Sequence, residues 1–121
     1  MDANMKSELI TWGVDWDDLS ARFMNNDDLI AKFMFKFLKD QSFNELTVAM
    51  EAGNVTDAFK AVHTLKGVSG NLGFKAMLEP VVNLTEITRA GSMEGAEVQY
   101  ELIKDKYETL MDILNKYNPN P

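Results

Sequence analysis

The chain reads as an all-α protein, an antiparallel four-helix bundle with short N-terminal helices capping one end. Three observations lead there: apolar residues recur at helical spacing over four long stretches, strand alternation is nowhere sustained, and the connections are short and marked by glycine and asparagine. The 121 residues are 45% hydrophobic and 10% aromatic, enough for one continuous core. A chain of this size buries about two-thirds of the surface its unfolded form exposes. A single domain over residues 1–121 is expected, with short helices at about 5–24 and the bundle at about 27–117.

Taken in order, the turn-rich stretch around Trp12, Gly13 and Trp16 fits short helices, and its two tryptophans would seal one end of the bundle. Asn26, Asp27 and Asp28 then open a run with Leu29, Ile30, Phe33, Met34, Phe37 and Leu38 on one stripe, the acidic groups suiting the helix dipole. The pattern resumes at Leu46, Ala49 and Met50 and stops at Gly53, a favourable C-terminal glycine. Between them, Gln41 to Asn44 is where this long helix would bend or split. Asn54 reads as an N-cap with Asp57 at the third helical position, so the next helix should run from about Val55 to Leu72 and end at Gly73. A third segment, Met77–Ala90, carries Met77, Val81, Leu84 and Ile87; Pro80 falls in its first turn, or kinks it if the helix begins earlier. Gly91-Ser92 closes it. Ser92 is expected to cap a last helix to about Tyr117, with Ala96, Ile103, Tyr107, Leu110, Leu114 and Tyr117 on its apolar face.

The helix from Val55 holds the most informative residues. On a wheel with His63 at zero, Ala58, Ala61, Leu65, Val68 and Leu72 fall between roughly 140° and 220°, a core-facing stripe. Phe59, Lys60, Lys66, Gly67 and Gly70 lie within roughly 60° of the histidine. His63 should therefore face solvent. Two glycines inside a helix cost roughly 1 kcal/mol each relative to alanine, and on an exposed face no neighbouring helix needs the room. Close approach by another macromolecule is a reason to keep them. Lys66, one turn on, can bring an ammonium near a phosphoryl group on the ring. Phe59 would be a large exposed aromatic, better suited to a docking patch than to a merely solvated face. Ser69 sits at the edge of the core stripe, where it can bond back to the backbone.

Histidine suits nucleophilic attack on phosphorus: with an unperturbed pKa of about 6.5 the ring is largely neutral at cellular pH. His63 is the only histidine, which removes a two-histidine metal site and a second imidazole base. Cysteine is absent, so disulfides, thiol nucleophiles and cysteine zinc sites are excluded together. The formal net charge of −7, from 19 acidic and 12 basic residues, repels phosphate backbones and makes nucleic acid an unfavourable partner. The N-terminus has no signal-peptide core, and the apolar clusters fall far short of the roughly 20 residues that span a bilayer. A soluble, cytoplasmic protein without a membrane partner is expected.

The stretch His63-Thr64-Leu65-Lys66-Gly67-Val68-Ser69-Gly70-Asn71-Leu72-Gly73 closely resembles the signature of the histidine phosphotransfer (HPt) family, H-x-L-K-G-x-S-x-x-L-G, at every fixed position. Gly13-Val14-Asp15, Asn26-Asp27-Asp28, Phe37-Leu38-Lys39-Asp40 and Arg89-Ala90-Gly91 also fall where family members carry similar residues, so the likeness covers about Gly13 to Gly91, with the last helix similar in pattern only. The resemblance implies a phosphorelay carrier in which His63 takes a phosphoryl group from a receiver-domain aspartate and returns it to another. It further implies that Lys66 stabilises the phosphorylated form and that Gly67 leaves room for the receiver. From their place beside His63 on the wheel, Phe59, Lys60 and Gly70 are expected to be docking residues. The expected partners are response-regulator receivers and a hybrid sensor histidine kinase. No cofactor is expected in the carrier, since the receiver supplies the magnesium site and most of the catalytic machinery; the chain would be a carrier, not an enzyme. Phe74 departs from the many carriers with a small residue there and resembles chemotaxis kinase phosphotransfer domains. Pro80 is unusual in its helix. Neither lies on the histidine face.

Three other readings stand beside this one. A receiver-docking adaptor of the same fold is disfavoured by the presence of His63, Lys66 and Gly67, and a metal- or ligand-binding bundle enzyme by the lack of the paired Glu-x-x-His ligands expected for a di-iron site. A module of a larger histidine kinase is the third; Met1 and the polar tail Tyr117–Pro121 read instead as the ends of a complete short protein.

Overall fold

Short polar side chains start the helices by accepting the backbone donors that a first turn leaves free. Asp2, Asp15, Asn26 and Asn54 each do so. The computed structural model describes residues 1–120; Pro121, the end of the polar tail, lies outside them. The elements are α1 (Ala3–Trp12), α2 (Trp16–Arg22), α3 (Asp27–Lys36), a 3-10 turn (Phe37–Lys39), α4 (Ser42–Ala52), α5 (Val55–Asn71), α6 (Lys75–Arg89) and α7 (Ala96–Tyr117). Among the described residues the protein is all-α, with a lone bridge between Val14 and Phe74.

The first long stretch is split, as its sequence predicts, at Asp40 and Gln41. Asp40 is extended, and its carboxylate accepts both the backbone N–H of Ser42 (2.9 Å) and the Ser42 hydroxyl, so one residue ends the 3-10 turn and starts α4. Gly53 closes α4 with φ +64°, a conformation that favours glycine. Helix α6 starts at Lys75, two residues before the expected Met77, because the Gly13 carbonyl accepts the Ala76 N–H (3.1 Å) from across the chain. Pro80 consequently lies inside the helix, not in its first turn. Ser92 does not cap α7. Its hydroxyl accepts the Glu94 N–H (3.0 Å) within the preceding turn, and Gly95, at φ +78°, is the residue that leads into the helix.

The helices α4, α5, α6 and α7 pack in chain order, each on the next, and the short connections make successive neighbours antiparallel. Aromatic rings close α7 back onto α4: Phe43 stacks on Tyr107 (4.0 Å) and Tyr100 (5.7 Å), and the Tyr100 and Thr47 hydroxyls meet at 2.8 Å. Tyr100 and Ile113 join the expected α7 stripe as buried residues, whereas Tyr107 and Tyr117 are only half-buried. Both tryptophans are buried. Trp12 closes one end of the bundle by meeting Phe74 edge-on at 5.6 Å, and its indole N–H donates to the Lys106 carbonyl (3.0 Å). Leu29 and Phe33, expected in the core stripe of α3, are instead exposed (37% each), because α3 buries only the side carrying Ile30, Ala31 and Met34.

Beyond its role at the bundle end, α1 lies along α7, where Glu8 accepts from the Tyr117 hydroxyl and from the Lys116 ammonium (2.9 Å). These two donors, Tyr117 first, hold the Glu8 carboxyl below its ordinary value of 4.5. A depressed folded-state pKa contributes stability that is present above the unfolded value and lost as pH falls through the folded one. Thermal unfolding followed from pH 6 to 3 should therefore show a smaller loss of Tm for Glu8→Gln than for the wild type, with the gap opening below about pH 4.5. No helix among the described residues is long and apolar enough to cross a membrane.

Candidate functional site

The candidate site lies along the solvent side of α5. Its start is set locally: the Asn54 carbonyl oxygen of the side chain accepts the Asp57 N–H at 3.0 Å, and the Asn54 amide donates to the Asp57 carboxylate at 3.0 Å. Its end is set by partners from elsewhere. Gly73 turns the chain at φ +65°, its carbonyl accepts the Asp15 N–H (2.9 Å), and the Ser69 carbonyl accepts the Phe74 N–H (2.9 Å). A Cβ at Gly73 would stand 3.1 Å from Leu19 and 3.2 Å from the Asp15 carbonyl, so α2 and the α5 end meet here closely. Arg22 of α2 donates to the Gly70 carbonyl at 3.0 Å while paired with Asp18 at 2.7 Å.

Ala58, Ala61, Val62, Leu65 and Ser69 form the buried side of α5. This stripe is rotated relative to the expected one: Val62 and Ser69 are fully buried, while Val68 is only half-buried. The reason is that α5 packs against both α4 and α6, so its buried arc is centred between two neighbours, not opposite His63. Ser69 does not bond back to the backbone; its hydroxyl is buried without a hydrogen-bond partner.

His63 is exposed, as the wheel predicts, together with Lys60, Thr64, Gly67 and Gly70; Lys66 is partly exposed. A Cβ added to Gly67 or Gly70 would meet nothing within 4 Å. The backbone beside the imidazole is therefore open to an approaching surface. Although the chain carries a net −7, α5 itself contains two lysines against the single acidic Asp57, so the face is locally basic.

Phe59 departs from expectation. It is half-buried, not exposed, because its ring lies between two side chains. On one hand it stacks on the His63 imidazole, with centroids 5.5 Å apart and planes 19° from parallel. On the other, the Arg89 guanidinium of α6 sits 5.1 Å from the ring centroid, with Glu86 3.4 Å from Arg89. Offset aromatic stacking contributes about 0.5–1.5 kcal/mol beyond burial. Among the described residues, no group of three or more His, Cys, Asp or Glu is placed to hold a metal ion.

Residues 36–113 match the family described as Hpt domain, a span that runs from the end of α3 into the last turns of α7 and contains all of α5. The chain belongs to the Hpt domain family. Its fold is that of an all-α Hpt bundle, and Hpt domains are phosphotransfer carrier modules of two-component phosphorelays that interact with receiver domains and kinases. No curated protein and no solved structure gives a significant match. Helix α1, which lies along α7, and α2, which meets the end of α5, precede the span matched in this Hpt domain.

Two features of the Hpt domain's surface escape its local sequence pattern. One is Arg89, which reaches Phe59 from the neighbouring helix. The other is a groove of about 570 Å³ beside the C-terminal half of α5, bordered by Phe23, Phe33, Val68 and Leu72, with Arg22 and Lys36 at its rim. Phe23 and Phe33 pack at 5.4 Å, and the Lys36 ammonium lies 4.9 Å from the Phe33 ring centre. The groove draws on α2, α3 and α5, so no single stretch of sequence displays it. An available signal was the pair Leu29 and Phe33 on a helix with more apolar residues than one buried side can hold.

Proposed function

We propose that this chain is a phosphoryl carrier of a two-component phosphorelay, with His63 as its acceptor. The observation that carries the reading is an exposed histidine in mid-helix, flanked on its open side by the bare backbone of Gly67 and Gly70. In the forward step a lone pair on a neutral ring nitrogen forms a bond to phosphorus as the bond from phosphorus to the receiver's aspartate oxygen breaks. The electron pair stays on the departing carboxylate. The reverse step passes the group to a second receiver aspartate. Lys66, one turn from His63, offsets the phosphoryl charge, and Lys60 adds to the field that draws an acidic receiver site.

Transfer of this kind depends on positioning and charge neutralisation more than on covalent chemistry by the protein. The receiver brings the magnesium ion and the aspartate; this chain contributes the nucleophile and a cation on an unobstructed face. Gly67 leaves room for the receiver backbone, while Lys60, Gly70 and the apolar groove beyond Gly70 extend the contact. A hybrid sensor kinase is the upstream source of the phosphoryl group in this reading, and a response regulator its destination.

The test is phosphoryl uptake from a phosphorylated receiver, read by intact mass. Wild type should gain one acid-labile phosphoryl group, and His63→Gln should gain none while keeping its helical circular dichroism. A folded wild type that gains nothing from several competent receivers would instead point to an adaptor that docks without transfer.

A further inference from the structure

Among the described residues no hydrogen bond orients the His63 ring; the aromatic stack with Phe59 is the contact that does. This matters because a histidine ring turns broadly about its outer torsion, and its nucleophilic lone pair lies in the ring plane. An imidazole free to turn presents that lone pair in many directions. Helical side chains lean toward the preceding turn, so the His63 ring falls back onto the residue at i−4, and here that residue is Phe59. The near-parallel planes and the 5.5 Å separation describe an offset stack. It covers one face of the imidazole, while His63 as a whole remains exposed.

Phe59 has a second neighbour. The Arg89 guanidinium lies against its ring at 5.1 Å, and Glu86 lies 3.4 Å from Arg89, so a half-exposed charged pair on α6 packs beside Phe59. We propose that Phe59 is a positioning residue for transfer at His63, fixing the plane of the imidazole through a stack that Arg89 braces from the next helix. This rests on the reading of His63 as the acceptor. In the transfer step the nitrogen–phosphorus bond forms in the ring plane as the phosphorus–oxygen bond to the aspartate breaks. A ring whose plane is already set enters that geometry without a search, and Phe59, on the face, stays clear of the incoming phosphorus.

His63 is the only histidine, so its ring protons give unambiguous resonances. The proposal is tested with wild type, Phe59→Leu and Phe59→Tyr. In wild type and Phe59→Tyr the His63 ring protons should be shifted upfield by the adjacent ring, and in Phe59→Leu they should return toward free-histidine positions. In single-turnover transfer from a phosphorylated receiver, Phe59→Leu should lower the rate constant at saturation about tenfold while leaving half-saturation within about twofold, and Phe59→Tyr should restore it. Unshifted ring protons in wild type, a wild-type rate in Phe59→Leu, or a change in half-saturation alone would each overturn the proposal. A wild type that takes no phosphoryl group from receivers or from phosphoramidate would defeat the carrier reading itself, and the proposal with it, whereas the proton shifts report on the stack independently of transfer.

Discussion

Gly67→Gln should lower transfer from a phosphorylated receiver about a hundredfold, while Gly67→Ala and Gly67→Gln both stabilise the fold. The two effects have separate physical origins. Within α5 a glycine costs about 0.5–1 kcal/mol relative to alanine, because its backbone loses more freedom on folding. A Cβ at this position meets nothing within 4 Å in the free protein, so no clash offsets that gain. Urea unfolding should place Gly67→Ala above wild type by about 0.5–1 kcal/mol and Gly67→Gln by somewhat less. Transfer is different. The reacting atoms must come within about 3–3.5 Å, and a misplacement of about 1 Å can cost a hundredfold. A glutamine one turn from His63 would stand where, on the carrier reading, the receiver settles. Phosphorylation by phosphoramidate, which needs no macromolecular approach, should stay close to the wild-type rate. If the glutamine variant accepts from receivers as readily as wild type, the open backbone at Gly67 does not serve docking.

Phe74→Ala should be the most destabilising single truncation of the bundle end, costing about 3–5 kcal/mol. Phe74 is fully buried, meets Trp12 and Phe37 edge-on at 5.6 and 5.0 Å, and sits in the turn between α5 and α6. Three parts of the chain therefore lose contacts together: α1, the 3-10 turn and the α5–α6 connection. Against a total stability of about 5–15 kcal/mol for a domain, this is a large share. The urea midpoint should fall at near-constant slope, and tryptophan emission, which includes buried Trp12, should report the same transition. Because Phe74 lies eleven positions beyond His63 and on the core side, the folded fraction of the variant should still accept a phosphoryl group. A loss under 1 kcal/mol would mean that the neighbouring rings collapse into the space.

The residue that sequence comparison singles out as a departure from many carriers, Phe74, is thus a core element rather than a part of the reactive face. Pro80 behaves likewise: it is buried in α6 and takes no part in the site. On the carrier reading, the groove between α2, α3 and α5 would extend the receiver contact beyond Lys60 and Gly70. Its lining is mainly apolar, with Phe23, Phe33, Phe37, Val68 and Leu72, and also carries Arg22, Lys36 and Lys39 beside the acidic Asp40.

By itself the sequence determined the all-α class, the division of the first long stretch near Gln41, the span of α5 from Asn54 to its glycine stop, and the outward direction of His63. These depend on interactions within one or two turns: an asparagine accepting an N–H three residues on, a glycine adopting positive φ, a periodicity of apolar positions. The tertiary structure decided the rest. It rotated the buried arc of α5 toward Val62 and Ser69, because two neighbouring helices share that arc. It started α6 early through the Gly13 carbonyl, left Leu29 and Phe33 exposed with Phe33 lining a groove, and moved the start of α7 from Ser92 to Gly95. It also covered Phe59 from both sides, with His63 on its own helix and Arg89 from the next. Those outcomes turn on which residues distant in sequence come to lie against one another, and periodicity along a single helix carries no term for the identity of its neighbour.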